Sequence, residues 1–125
     1  MVQFDFAPDI KKDIQKIVKK LQFDYVFPAR ITCFRSFGSS SRAFARIWSM
    51  LHIWQKALKI KPHYCIEVLS EKFDKLNEKQ KTKVLIHELL HIPKNFSGAL
   101  LGHRSRGRRI DMRIINKLFA KMEES

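Results

Sequence analysis

A short, otherwise apolar stretch of the chain carries three ionisable side chains and constrains the fold more than any other feature. Residues 84–92 read Val-Leu-Ile-His-Glu-Leu-Leu-His-Ile, with His87 and His91 four positions apart and Glu88 directly after the first histidine. Residues at this spacing lie about one turn apart on the same face of a helix, so both imidazoles can reach one metal ion. Because buried imidazoles and carboxylates need a partner, the stretch predicts a core helix that carries a metal site.

Glu88 is the candidate catalytic group of this helix. Its carboxylate projects beside the two imidazoles, where it can hold a metal-bound water and accept its proton. The sequence contains no glycine-rich phosphate loop, no GxSxG motif and no cysteine next to a plausible histidine pair. Phosphoryl transfer and covalent acyl transfer therefore lack their usual groups, and metal-assisted hydrolysis is the enzyme class that remains.

The third metal ligand is harder to assign than the first two. A catalytic zinc ion usually takes three protein ligands and leaves a fourth position for water. We predict His103, twelve residues after His91, because the loop that begins at Pro93 can fold the chain back onto the helix. Asp111 can instead orient a ligating imidazole through a hydrogen bond, which is a common role for a carboxylate near a metal site. The other candidate ligands are His63, Asp111, Glu123 and Glu124.

Length and composition favour a single domain, residues 1–125. A chain of 125 residues with 45% hydrophobic content can bury a core without a disulfide, so Cys33 and Cys65 are expected to be free thiols. No apolar run reaches the roughly 18 to 20 residues that cross a bilayer. The N-terminal residues include early acids and no apolar signal core. We therefore expect a cytoplasmic protein with no membrane partner.

The positive charge is concentrated in two parts of the chain. Lys and Arg number 25 against 12 Asp and Glu, which gives a formal net charge of +13. Residues 29–62 contain seven basic and no acidic side chains, and residues 94–125 contain eight basic and three acidic ones. Such surfaces attract phosphate backbones or anionic proteins, so nucleic acid is a candidate partner. The alternative to an enzyme is a DNA-associated or regulatory module with a structural zinc site and no turnover.

Hydrophobic periodicity and turn residues predict an α+β fold with a three-stranded sheet packed with helices. Helices are expected from Pro8, over Leu51–Leu58, over a short turn in SEKFDKL, and over Arg109–Met122. A further helix is expected to run to Ile92 from an Asn77 N-cap, with Gln80 three positions on in a capping-box arrangement. Strands are expected in residues 29–37 and 43–48, paired as a hairpin, and over His63–Leu69. Four aromatic side chains are expected in the core, namely Phe34, Phe44, Trp48 and Trp54.

The histidine helix and the segment after it resemble a known family. Residues 87–93 read HELLHIP, a glycine-containing loop follows, and the next histidine lies in the pair Gly102-His103. Together with the preceding KPHYCIEVLSEKFDKL, this pattern resembles the metallopeptidase family of phage and archaeal type. The resemblance implies a small zincin-like domain and a zinc-dependent metallopeptidase that hydrolyses peptide bonds of a peptide or protein substrate. It implies one zinc ion per chain and four site residues, namely the ligands His87, His91 and His103 and the catalytic Glu88.

The sequence departs from the family pattern directly after His103. An acidic or mixed continuation is expected there, whereas this chain has RSRGRR. The difference bears on substrate preference rather than on metal binding.

Overall fold

The computed structural model describes residues 1–105 and 108–124, which contain six strands and five α-helices. The strands are β1 (Gln3–Phe6), β2 (Ile31–Phe37), β3 (Ala45–Trp48), β4 (Tyr64–Leu69), β5 (Arg104–Ser105) and β6 (Arg108–Arg109). The helices are α1 (Pro8–Lys20), α2 (His52–Leu58), α3 (Ser70–Phe73), α4 (Glu78–Leu90) and α5 (Met112–Glu124). The predicted α+β class is confirmed, and none of these helices is long and apolar enough to cross a membrane. Arg106 and Gly107 of the basic RSRGRR stretch lie outside the described residues.

The four longer strands form one mixed sheet in the order β1-β2-β4-β3. β2 and β4 are parallel, whereas β1 pairs antiparallel with β2 and β3 pairs antiparallel with β4. The predicted three-stranded sheet and the predicted hairpin of β2 with β3 are therefore wrong. β4 has five of its six residues buried and lies between β2 and β3 in the interior of the sheet. The seven residues 38–44 can reach across it, because an extended chain of that length spans about 23 Å and two strand spacings take only about 10 Å.

Strand β1 supplies the fourth strand of the sheet, and the sequence does not predict it. Its residues, Gln3, Phe4, Asp5 and Phe6, alternate between polar and apolar, but the strand is only four residues long and all four are exposed. It lies at the edge of the sheet, where Phe6 pairs with Phe34 at a ring-centroid distance of 5.1 Å. Backbone pairing and this ring contact hold a strand whose alternation is too short to predict it from the sequence.

Helix α1 covers the sheet and begins at the predicted residue. Pro8 is in its first turn, where the missing N–H costs nothing. Ile10, Ile14 and Ile17 follow at helical spacing, and each is at most 2% exposed. These side chains join the core formed by β2, β4 and α4.

Helix α4 starts with the capping box that the sequence predicts. The Asn77 side chain accepts from the Gln80 N–H at 2.8 Å, and the Gln80 side chain accepts from the Asn77 N–H at 3.1 Å. The helix ends at Leu90, two residues before the predicted end at Ile92. Pro93 is the physical reason, because a proline disfavours the helical conformation of the residue before it. The end of α4 thus lies directly at His91, which is its C-cap.

Three of the four aromatic side chains expected in the core are exposed. Phe44, Trp48 and Trp54 are 45%, 48% and 57% exposed, so the core prediction is wrong for them. Trp48 pairs with the half-buried Cys65, and Trp54 lies on α2, which has no buried residue. Apolar type alone therefore does not identify the core in the basic segment 29–62.

Both cysteines are free thiols, as predicted. Cys33 is buried in β2, and burial raises the pKa of its thiol to about 12. Cys65 is only partly buried, and burial also raises its pKa. Neither thiol is therefore activated as a nucleophile or metal ligand.

Arg35 ties β2 to the start of α1 and to the end of α3. Its guanidinium donates to both carboxylate oxygens of Asp9 at 3.0 and 3.1 Å and to Asp74 at 3.1 Å. The hydrogen bond from Arg35 holds the pKa of Asp9 below its ordinary value. Burial opposes a lowered pKa at Asp74, but hydrogen bonds from Arg35 and Ser70 outweigh it. Both carboxylates are therefore stabilised in their ionised form by the fold.

We expect Arg35→Gln to lower the free energy of unfolding by about 1 kcal/mol at pH 7, since most of this network is open to solvent. Carboxyl groups with lowered pKa values stabilise the fold above the ordinary aspartate pKa of about 4. That contribution disappears as the pH falls through the lowered values. Urea unfolding at pH 7 and at pH 3 checks this, with the exposed Arg42→Gln as control. Equal stability of Arg35→Gln and the parent at pH 7 would contradict it.

Candidate metal centre

Three imidazoles converge at the C-terminal end of α4. The ring centroid of His87 lies 5.1 Å from those of His91 and His103, and the latter two are 4.8 Å apart. The Nε2 atoms of His87 and His103 are 3.0 Å apart. One candidate ligand atom from each ring lies within 4.8 Å of the others. The structure thus brings together the three histidines that the sequence nominates as metal ligands.

The loop after α4 sets the orientation of His91. The Nδ1 atom of His91 lies 2.6 Å from the carbonyl oxygen of Leu101, and the Leu101 N–H donates to the His91 carbonyl at 2.7 Å. A carbonyl oxygen can only accept, so Nδ1 carries the proton and Nε2 keeps a free lone pair. Hydrogen bonds of this kind fix the tautomer and ring orientation of metal-binding histidines.

The surroundings of His87 favour the neutral imidazole. Burial, together with the neighbouring His91 and His103, lowers the pKa of His87 to about 4. At neutral pH the ring is therefore uncharged and has a lone pair for a cation. Its Nδ1 lies 3.7 Å from a carboxylate oxygen of Glu88. Because the imidazole is neutral, this contact is not an ion pair.

Glu88 is a buried carboxyl group at the edge of the histidine cluster. Only 6% of the residue is exposed, and burial raises the pKa of the carboxyl to about 7. A general base works best when its pKa is close to the working pH. The position of Glu88 on α4 therefore gives it both proximity to the imidazoles and the ability to exchange a proton near neutrality.

The donor set fits a transition metal ion with an open coordination position. Within the described residues the cluster contains three histidines and no carboxylate or thiol ligand. Imidazole nitrogen suits zinc, copper, iron and nickel, whereas magnesium and calcium prefer oxygen. Three protein ligands are typical of a catalytic site, because a fourth position remains for water.

A buried tyrosine holds the loop that leads to the third histidine. We call residues 93–103 the histidine loop. The hydroxyl of Tyr64 donates to the Ala99 carbonyl and accepts from the Gly98 N–H, both at 2.8 Å. Tyr64 is 1% exposed and lies at the start of β4. The sheet therefore fixes the middle of the histidine loop by two hydrogen bonds.

Gly98 is the point of closest approach between the histidine loop and α2. Its φ of +94° disfavours any other residue, and an added Cβ would lie 2.3 Å from Gln55 Nε2 and 2.6 Å from the Met50 carbonyl oxygen. The Gln55 amide donates to the carbonyl of Ser97 at 2.9 Å. A second set of contacts thus holds the loop from the side of α2.

We expect Tyr64→Phe to weaken zinc binding about tenfold, because the loss of a group that supports a metal ligand typically costs this much or more. The hydroxyl holds the loop that carries both His103 and the Leu101 carbonyl. Competition with a zinc-binding dye measures the affinity. Tyr25→Phe is the matched control, since the Tyr25 hydroxyl has no hydrogen-bond partner within the described residues. Equal zinc affinity of the two variants would refute this role of Tyr64.

The other candidate ligands lie outside the cluster. His63 Nδ1 is 2.7 Å from the Lys61 carbonyl, and Asp111 accepts from the Ile114 N–H at 3.2 Å at the start of α5. Glu123 and Glu124 are in the last turn of α5. None of the four belongs to the three-histidine group found within the described residues.

Sequence reasoning missed two groups that support the cluster, the Leu101 carbonyl and the Tyr64 hydroxyl. A backbone carbonyl has no sequence signature. Tyr64 lies in a strand and has the pattern of an ordinary core aromatic residue. The available signal is its hydroxyl, which a buried tyrosine must pair with a partner.

The fold and the site together define a class of protein. It is an α+β domain in which the two histidines of an HExxH motif, His87 and His91, and a third histidine form one compact group of imidazoles. The chain belongs to the family described as "Putative phage metallopeptidase", whose family model matches residues 2–119. The family expected from the HELLHIP motif is thereby confirmed. No curated protein and no solved structure matches the chain. The family description implies a peptide or protein substrate and lends no support to the nucleic-acid partner suggested by the charge.

Proposed function

We propose that this protein is a zinc-dependent metallopeptidase. One zinc ion per chain is bound by His87, His91 and His103, and Glu88 is the general base. The observation that carries the proposal is the convergence of three imidazoles within 4.8 Å beside a carboxyl group that is only 6% exposed. Membership of the phage metallopeptidase family supports peptide hydrolysis as the reaction.

The proposal includes a zincin-like arrangement of helix and edge strand. α4 packs against β3, which lies at the edge of the sheet and pairs antiparallel with β4. The backbone of an edge strand can pair with an extended peptide. Phe44, directly before β3, lines the same cavity as His87. A peptide bound along β3 therefore passes close to the histidine cluster.

The chain's own groups divide the work of hydrolysis between them. When bound, a zinc ion polarises the scissile carbonyl and lowers the pKa of a water molecule toward about 7. Glu88 accepts a proton from the attacking water and delivers it to the nitrogen that leaves. The hydrogen bond between His91 and the Leu101 carbonyl keeps the ring of His91 oriented throughout.

Zinc content and proteolysis measured on the same sample test this proposal. We expect one zinc ion per chain by elemental mass spectrometry, and cleavage of a mixed peptide library that stops with a chelator and resumes with added zinc. A chain that holds one zinc ion but cleaves no peptide contradicts the enzyme and supports the structural zinc module. A chain that binds no zinc contradicts both.

A cytoplasmic setting is part of the same proposal. The two free thiols, Cys33 and Cys65, support it, because reducing compartments keep cysteines unpaired. Fractionation of cells that produce the tagged chain tests it, and recovery in a secreted fraction contradicts it.

A further inference from the structure

A cavity of about 290 Å³ opens beside the histidine cluster, between α4 and α5. His87 forms part of its wall, so the cavity adjoins the candidate metal centre. Leu76, Val84 and Ile115 form an apolar interior, and Phe44 and Met112 also line it. Its volume is at the lower end of the roughly 300 to 1,000 Å³ that is usual for ligand pockets. A space of this size suits a single side chain.

The two large apolar side chains at this cavity are open to solvent. Phe44 is 45% exposed and Met112 is 58% exposed, whereas Ile115 is buried at 3%. The cavity therefore has a buried apolar floor and accessible apolar walls. Exposed apolar surface grouped around a hollow typically marks a binding site, whereas singly scattered apolar residues do not.

The lining of the cavity favours an uncharged side chain as its occupant. No carboxylate lines it among the described residues, so a lysine or arginine side chain finds no counter-ion. Among the residues that the structure describes, Lys83 is the one formally charged residue in that wall. Its ammonium group lies 5.3 Å from the ring centre of Phe119, which does not line the cavity. The apolar floor of Leu76, Val84 and Ile115 offers a carboxylate no hydrogen-bond donor that would replace its hydration.

We propose that this cavity binds a large uncharged apolar side chain of the peptide substrate, aliphatic or aromatic, next to the bond that is cleaved. The inference rests on the proposed function, because it assigns His87 to the metal centre that the cavity adjoins. Burial of a leucine or phenylalanine side chain gives a preference of about 10- to 100-fold over glycine. The cavity thus defines the substrate class as peptides with a large apolar residue at one position beside the scissile bond.

Cleavage of matched peptides by the zinc-loaded protein is the first test. The peptides differ at one position, which carries Phe, Leu, Gly, Asp or Lys, and kcat/KM is measured for each. We expect Phe and Leu peptides to exceed the Gly, Asp and Lys peptides by about tenfold or more. We expect Met112→Trp, which places a larger side chain at the cavity wall, to remove this preference. The control Ile53→Trp places the same side chain on the exposed α2 and keeps the preference.

A binding measurement separates this inference from the proposed function. Methyl NMR of the protein records the signals of Met112, Ile115 and Val84 during titration with N-acetyl-phenylalaninamide. Shifts at these methyl groups, absent with N-acetyl-lysinamide, support the cavity as a side-chain site even if no peptide is cleaved. Absence of these shifts overturns the inference, and so does cleavage with equal kcat/KM for Phe and Gly peptides.

Discussion

The variant Glu88→Gln is expected to lose about 10²- to 10⁴-fold in kcat, which is the usual contribution of a positioned general base. Glutamine has nearly the shape of glutamate but cannot accept the proton of the attacking water. The three imidazoles are unchanged, so the zinc content stays at one ion per chain. Initial rates on one good peptide substrate, with zinc analysis of the same sample, measure both quantities.

Two controls make this result specific. Glu78→Gln changes an exposed glutamate at the start of the same helix and is expected to keep full activity. Burial raises the pKa of Glu88 to about 7 against an ordinary value of 4.5, so ionising it opposes folding as the pH rises between these values. Chelator-treated Glu88→Gln is therefore at least as stable as the parent at pH 8, and the two converge near pH 4. A Glu88→Gln variant with full activity would show that Glu88 is not the general base.

Replacement of His91 by alanine is expected to abolish zinc binding in the micromolar range and all proteolysis with it. The variant removes one of three proposed ligands and also the hydrogen bond to the Leu101 carbonyl that holds the histidine loop against α4. Zinc at about 100 times its dissociation constant stabilises a folded protein by about 2.7 kcal/mol. Thermal unfolding of the parent should therefore shift upward when zinc is added, and unfolding of His91→Ala should not.

His52→Ala is the matched control for this experiment. His52 is an exposed histidine on α2 and lies outside the cluster, so its loss should leave both the zinc shift and activity intact. His103→Ala should resemble His91→Ala if the third imidazole completes the site. Retention of the zinc shift by both cluster variants would show that the metal binds elsewhere.

Local sequence signals predicted the elements whose own residues carry the information. Pro8 and the buried isoleucines mark α1, and the Asn77–Gln80 capping box marks the start of α4. The apolar flanks of His87 and Glu88 placed them on a buried helix, because few other arrangements accommodate such groups. These signals depend on residues within one or two helical turns of each other, so they can be recognised in the sequence before the fold is known.

The strand order of the sheet could not be predicted from local sequence signals. β1 has no buried residue, and the order of β2, β4 and β3 depends on which strand buries the most surface between its neighbours. Trp48 and Trp54 are exposed although they are as apolar as the residues of the core. Burial is a property of the assembled domain, so apolar type by itself misplaced them.

The sequence by itself determined the pair of imidazoles and the carboxylate of α4, because helical geometry places residues four apart on one face. The sequence favoured His103 but left His63 and three carboxylates as candidates, and the tertiary structure brings His103 to that pair through a loop held by Tyr64 from the sheet and by Gln55 from α2. Contacts between residues so distant along the chain arise from packing. No local pattern encodes them.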